Sequence, residues 1–230
     1  MSENIDMTTR LDLVIVGFDV PSIDKFKTDL ESKQSLKNKG FQKGKTDFIK
    51  PPADIPAMLP VVYTIKNNHF MTIKYHLLEK RLIITQDSYL QDNFNYDENI
   101  SEILDILLTI APASSISAFG INYSTEVLRE RKLTLLNPNI EDKLGNDFWN
   151  TNIGFQTELA FKENEYTSIY RIYKNEKEEQ KENERSYNFD VNYNFELKYD
   201  NNAKKIMEIF SQNQSYYETY RSKVRSILSL

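Results

Sequence analysis

The chain has 230 residues, with 29 Lys and Arg against 34 Asp and Glu for a net charge of −5. It has no cysteine, two histidines and six glycines. Disulfide frameworks, zinc–thiolate sites, iron–sulfur clusters and cysteine nucleophiles are therefore excluded, and glycine-rich nucleotide loops have little material to be built from. The excess lies in Asn (22 residues) and in the 14 Tyr and 13 Phe.

The first nine residues carry Glu3 and Asp6 and lack the basic and apolar regions of a signal peptide. The apolar stretches 13–18 and 103–113 fall short of the ~20 residues needed to span a bilayer. A cytoplasmic location is expected. The Lys, Asn, Ile and Tyr bias is that of AT-rich coding and points to a bacterial source.

Leu11–Phe18 is apolar on both faces apart from Asp12 and Gly17, as in a central strand. Pro21 and Ser22 open a helix over Ile23–Gln34, with Ile23, Phe26 and Leu30 on one face. From Ser35 to Pro60 periodicity is lost. Six lysines fall between Lys33 and Lys50 against one acid, Asp47, and Pro51, Pro52, Pro56 and Pro60 follow, so a long loop is expected. Val61–Lys66 and Phe70–His76 read as a hairpin around Asn67 and Asn68, with Asn taking the positive φ of the turn. Arg81–Gln86 is a third strand. After an acidic link, Asn99 is placed as the N-cap of a helix carrying Ile100, Ile103, Leu104, Leu107 and Leu108.

Ser115–Val127 alternates as a strand with Phe119, Ile121, Tyr123 and Val127 on one side. Strands are also expected around Ile153–Phe161 and over Tyr166–Tyr173. The charged run Lys174–Arg185 cannot bury a core face and reads as a loop. Tyr187, Phe189, Val191, Tyr193, Phe195, Leu197 and Tyr199 then alternate strictly with polar residues. That is a period-2 strand with one wet face, long enough that a bend or bulge is expected. Ile206, Phe210, Asn213, Tyr217, Tyr220, Val224 and Ile227 advance by steps of four and three, a heptad seam in one C-terminal helix. The expectation is an α+β fold, a mostly antiparallel sheet with helices on one face. It forms a single domain over residues 1–230, with strand-strand-strand-helix units as pseudo-repeat halves 1–136 and 137–230.

Gly40–Thr46 imitates a P-loop, but its glycines are one residue too close and a helix, not a strand, precedes it. His69 and His76 are read as packing or surface residues flanking the hairpin. No G-x-S-x-G elbow, metal-ligand cluster or cofactor motif is present, so no catalytic, cofactor-binding or metal-binding residue is assigned. Binding, not catalysis, is the expected activity. A protein partner or a second copy would dock on Phe210, Tyr217, Tyr220, Val224 and Trp149, because aromatics favour interface cores. The alternative is nucleic-acid binding through Lys37, Lys39, Lys43, Lys45 and Lys50, with Phe41 and Phe48 available to stack. No membrane is involved on either reading. The opposite bias of 86–105, six acids and no Lys or Arg, allows pairing with the basic stretch or docking of a basic partner.

The segments Phe119-Gly120-Ile121-Asn122-Tyr123 and Asn188-Phe189-Asp190-Val191, with the order of elements around them, resemble a sporadically distributed family of uncharacterised bacterial proteins of about this length. The family's arginines are missing at the first segment. The family has no assigned chemistry, so the resemblance implies no functional residue. An accessory subunit of a defence or mobile-element assembly is the role expected of such a chain.

Overall fold

The computed structural model describes residues 7–49, 59–89, 96–110, 115–129, 149–150, 156–162, 166–175, 185–197 and 202–228. Ten strands form one antiparallel sheet: β1 (Met7–Val16), β2 (Lys45–Ile49), β3 (Leu59–Lys66), β4 (Met71–His76), β5 (Arg81–Gln86), β6 (Ala118–Arg129), β7 (Trp149–Asn150), β8 (Gln156–Lys162), β9 (Thr167–Asn175) and β10 (Arg185–Glu196). The order across the sheet is β2-β3-β4-β5-β1-β6-β10-β9-β8-β7. It holds the same series twice. The strand that opens each series pairs with the fifth, and the fourth, third and second follow outward; β1 and β6, the two openers, pair at the centre. The second series thus begins at β6.

Among the described residues, five helices accompany the sheet: α1 (Ile23–Ser32), α2 (Gln34–Asn38), α3 (Tyr96–Ile110), α4 (Asn202–Phe210) and α5 (Asn213–Leu228). Pleating decides which side they cover. The row Tyr63, Tyr75, Leu82, Ile15, Phe119, Phe195 runs in register across six strands, and every member is buried. Phe26 of α1 packs on Tyr63 and Tyr75 of that row. Tyr220 of α5 stacks on Tyr123, four residues along β6, and Tyr217 packs against the same ring. The fold is therefore α+β, with the helices on one face, as expected. Phe189, Val191, Tyr193, Phe195 and Leu197 are all buried, which confirms the period-2 reading of β10.

Several expectations are corrected. The stretch after Ser35 is not all loop. It holds α2 and the edge strand β2, which pairs with β3 and shifts register between Asp47 and Phe48. The end of α2 explains why: Gly40, at φ 78°, closes it with Phe41 N–H donating to Leu36 O (3.1 Å) and Gly40 N–H to Lys37 O (2.9 Å). Leu36 and Phe41 are both buried, the apolar contact that accompanies this cap. In the β3–β4 turn, Phe70 and not an asparagine takes the positive φ (60°). Asn67 acts through its side chain, its Oδ1 accepting from His69 N–H and Met71 N–H at 2.9 Å each. His69 and His76 are not neighbours, since His76 pairs with Val62 and Arg81 at the far end of β4. β10 keeps unbroken register with β6 from Arg185 to Glu196, without a bulge. Helix α3 starts at Tyr96, so Asn99 lies inside it. The C-terminal heptad seam spans two helices, broken at Ser211 and Gln212. Ile153, Phe155, Tyr199 and most of the charged run lie outside the described residues.

Both glycines of the P-loop-like string have structural work. Gly40 closes α2. At Gly44 a Cβ would lie 2.2 Å from Tyr63 Oη, where the phenol donates to Glu31 Oε1 (2.9 Å). Gly44 N–H donates to the same Glu31 oxygen (3.2 Å). Gly44→Ala drives the buried Tyr63 ring out of place, and a loss of about 2 kcal/mol is expected in urea unfolding; a loss under about 0.5 kcal/mol shows that the ring moves freely.

Candidate functional site

Two regions of the described residues offer binding geometry, and a buried tyrosine network separates one from the rest of the core. The first region is a cavity of about 430 Å³ where α2, the β3–β4 turn, the end of β5 and the start of α3 meet. Its walls include Asn38, Lys39, Asn67, His69, Met71, Gln86, Tyr96, Asn99, Glu102 and Ile103. Lys39 comes from the basic stretch and Glu102 from the acidic one; they pair at 2.6 Å, and Lys39 Nζ also donates to Asn99 Oδ1 (2.7 Å). The two opposed charge runs are therefore joined inside the molecule at this point. Asn67 Nδ2 donates to Lys39 O (3.3 Å), tying the turn to the end of α2.

Gln86 forms part of the cavity wall and is 1% exposed. Its Nε2 donates to His69 O (3.0 Å) and Asp87 O (2.8 Å), which fixes the orientation of the amide. Its Oε1 accepts nothing from the protein. Phe70, 69% exposed, sits between the two wall residues His69 and Met71, held in the left-handed region while its carbonyl accepts from Asp87 N–H (3.0 Å). A bulky residue held there stores strain, and strain collects at functional sites.

Next to the cavity lies the tyrosine network. Tyr89 Oη donates to Asp97 Oδ1 (2.6 Å), and Asn213 Nδ2 donates to Tyr89 Oη (2.7 Å) and Asp97 Oδ1 (2.9 Å). Tyr123 Oη donates to Asn213 Oδ1 (2.6 Å), and Tyr220 Oη to Phe189 O (2.5 Å). Burial pushes the phenols of Tyr89, Tyr123, Tyr193 and Tyr220 well above their ordinary value. They remain protonated donors at neutral pH, which suits a structural network and not phenolate chemistry.

The second region is the other face of the sheet. Among the described residues no helix lies on it. The row Thr72, Thr85, Asp12, Asn122, Asn192, Ile169 runs in register across six strands. Asp12 accepts from Thr85 Oγ1 and pairs with Arg10 (2.9 Å). Ser124 donates to Asp190 Oδ1. Asn122 and Asn192 stand directly opposite each other, and the Oδ1 of each is buried without a donor.

The residues expected to take a partner are placed differently. Phe210, Tyr217, Tyr220 and Val224 are buried in this chain's own core, because the seam packs on the sheet, and they offer no surface. Trp149 lies on the edge strand β7 opposite Glu158, with its side chain outside the described residues. Of the lysines, Lys37 and Lys43 are exposed, Lys45 is exposed and pairs with Asp47 (3.0 Å), Lys39 is held by Glu102, and Lys50 lies outside the described residues. Among the described residues no three His, Asp or Glu side chains converge as a metal would require. No helix among them is long and apolar enough to cross a membrane. The cavity and the paired asparagines were missed by sequence reasoning. The strict Asn–aromatic alternation of β10 signals the wet face, but no sequence pattern marks the cavity.

No known family model matches the chain, and no curated protein matches it. Among solved structures, a rolling circle replication initiator protein from Geobacillus stearothermophilus is similar at a TM-score of 0.31 and 9% identity, over 91% of this chain and 80% of that one. A likeness of that degree assigns no function.

The raised phenols set an alkaline limit. Their neutral forms are favoured by the fold, so this stability is complete below the unfolded value near pH 10 and is lost as pH rises through it, by about 1.4 kcal/mol per pH unit for each of the four. Spectrophotometric titration is expected to show Tyr89, Tyr123, Tyr193 and Tyr220 ionising only with unfolding; reversible ionisation near pH 10 in the folded protein contradicts this. Asn213→Ala removes the hub: Tyr123 keeps the backbone carbonyl of residue 213 (2.9 Å) and Asp97 keeps Tyr89, but each loses its amide partner, and a loss of about 1–3 kcal/mol is expected in urea unfolding.

Proposed function

We propose that this chain acts by binding a protein partner on the sheet face that no described helix covers. The observation that carries the reading is the pair of donorless acceptors, Asn122 Oδ1 and Asn192 Oδ1, at the centre of that face. Each buried acceptor left unpaired costs about 1–3 kcal/mol, a cost a partner's N–H or O–H groups relieve. Arg10, Asp12, Asp190 and Arg171 interleave both signs of charge across the centre. A phosphate backbone meets as much repulsion there as attraction, whereas a protein surface of mixed charge fits. From β5 to β9 the face spans five strands, on the order of 800 Å² over ten residues, the share one partner gives to a standard interface. The aromatic excess supports no exposed seam; the Asn excess does support this face, with Asn122, Asn188, Asn192 and Asn194 all on it. An accessory role in a defence or mobile-element assembly is the setting we propose for it.

The test is a cross-linking side chain at position 192, compared with one at Glu218 on the helical side, in the source cell and with proteins encoded beside this chain. Cross-linking confined to position 192, abolished when Asn122→Arg is added at unchanged Tm, supports the reading; a doubled mass identifies a second copy as the partner. A monomer that cross-links nothing at 192 refutes it.

A further inference from the structure

We infer that the cavity between α2, the β3–β4 turn and α3 binds an uncharged nucleoside whose base carries an exocyclic amine. This site is separate from the sheet face and does not depend on it. A volume of about 430 Å³ lies in the range of small-molecule sites and holds a single base with its pentose.

The polar groups decide the class. Gln86 is locked with both amide protons on backbone carbonyls, so it can only accept, and its Oε1 has no donor in the protein. The ligand must therefore bring an N–H or O–H to the buried wall. Asn38, also on the wall, accepts from Gln34 Nε2 at its Oδ1 (2.9 Å), which leaves its NH2 to donate to a ring nitrogen or carbonyl. An acceptor and a donor on the wall of one cavity can meet the exocyclic amine and a ring nitrogen or carbonyl of the same base. Between them the walls are flat or apolar: the rings of His69 and Tyr96 and the side chains of Met71 and Ile103. Such walls suit the faces of a planar heterocycle better than the polar surface of a free sugar.

The charges exclude the alternatives. Lys39 and Glu102 neutralise each other at 2.6 Å. An amino acid would find both charges already paired. A phosphate would find Lys39, the one lysine or arginine on the wall among the described residues, already taken, with a carboxylate beside it. The uncharged nucleoside is accommodated and its 5′-phosphate gains nothing.

The experiment titrates the full chain with adenosine, cytidine and guanosine by calorimetry and by NMR of the His69 and Tyr96 signals. Saturable binding by at least one of them is expected, with its 5′-monophosphate no tighter and its analogue lacking the amine at least tenfold weaker, because Gln86 then stays unpaired. Gln86→Leu should abolish binding. Since that variant also removes two buried hydrogen bonds, Ser35→Trp at the exposed rim of the cavity is the companion: it should block binding with Tm unchanged. No saturation at millimolar nucleoside overturns the proposal, as does tighter binding of the monophosphate or binding that survives Ser35→Trp in a folded protein.

Discussion

Asn213 is the side chain on which the arrangement of the helical layer depends. It sits at the first position of α5, buried, and joins Tyr123 of β6, Tyr89 beyond β5 and Asp97 of α3 in one hydrogen-bonded cluster. Each partner belongs to a different element, so the amide fixes α3 and α5 against the two series of the sheet at once. The aromatic rings around it fill the volume: Tyr123 contacts Tyr217 and stacks on Tyr220, and Tyr89 packs edge-on to Tyr217. A cluster of this kind favours one packing because shifting any helix strands a buried donor or acceptor.

The charge distribution has a similar logic. A net charge of −5 conceals a basic stretch and an acidic one far apart in sequence. Folding brings them together at Lys39 and Glu102, on the wall of the cavity. Lys39 is only 17% exposed on its side chain, so this pair is more shielded than a surface ion pair and also anchors the end of α2 to α3. The basic stretch thus spends part of its charge on the fold.

How much was legible depends on range. The alternation of β10 was clear because a strand with one wet face writes its burial directly into residue parity, and the same holds for β6 and the stripe of α3. β2 was not legible. KTDFI sits among lysines, and only pairing with β3 makes it a strand. The break between α4 and α5 was hidden because heptad spacing continues through Ser211 and Gln212, while the turn there serves to set Asn213 into its cluster. Seam and core read alike from spacing alone, so spacing does not distinguish a partner surface from the chain's own sheet, against which Phe210, Tyr217, Tyr220 and Val224 are buried. The cavity draws on segments up to 68 positions apart, from Ser35 to Ile103, and the orphan oxygen of Gln86 depends on carbonyls that only the folded turn supplies.

The central pairing of β1 with β6 bears on how the chain reaches this state. Met7 faces Val127 and Val16 faces Ala118, so β1, made before the other described strands, is flanked by partners made some seventy and over a hundred residues later. Until then both of its edges are open, and Leu11, Leu13 and Ile15 have no layer to cover them. Loop closure over such distances makes folding slow, and an unpaired apolar strand can join a neighbour's sheet. The strand that unites the two series is thus the one most exposed to misassembly while the chain is incomplete.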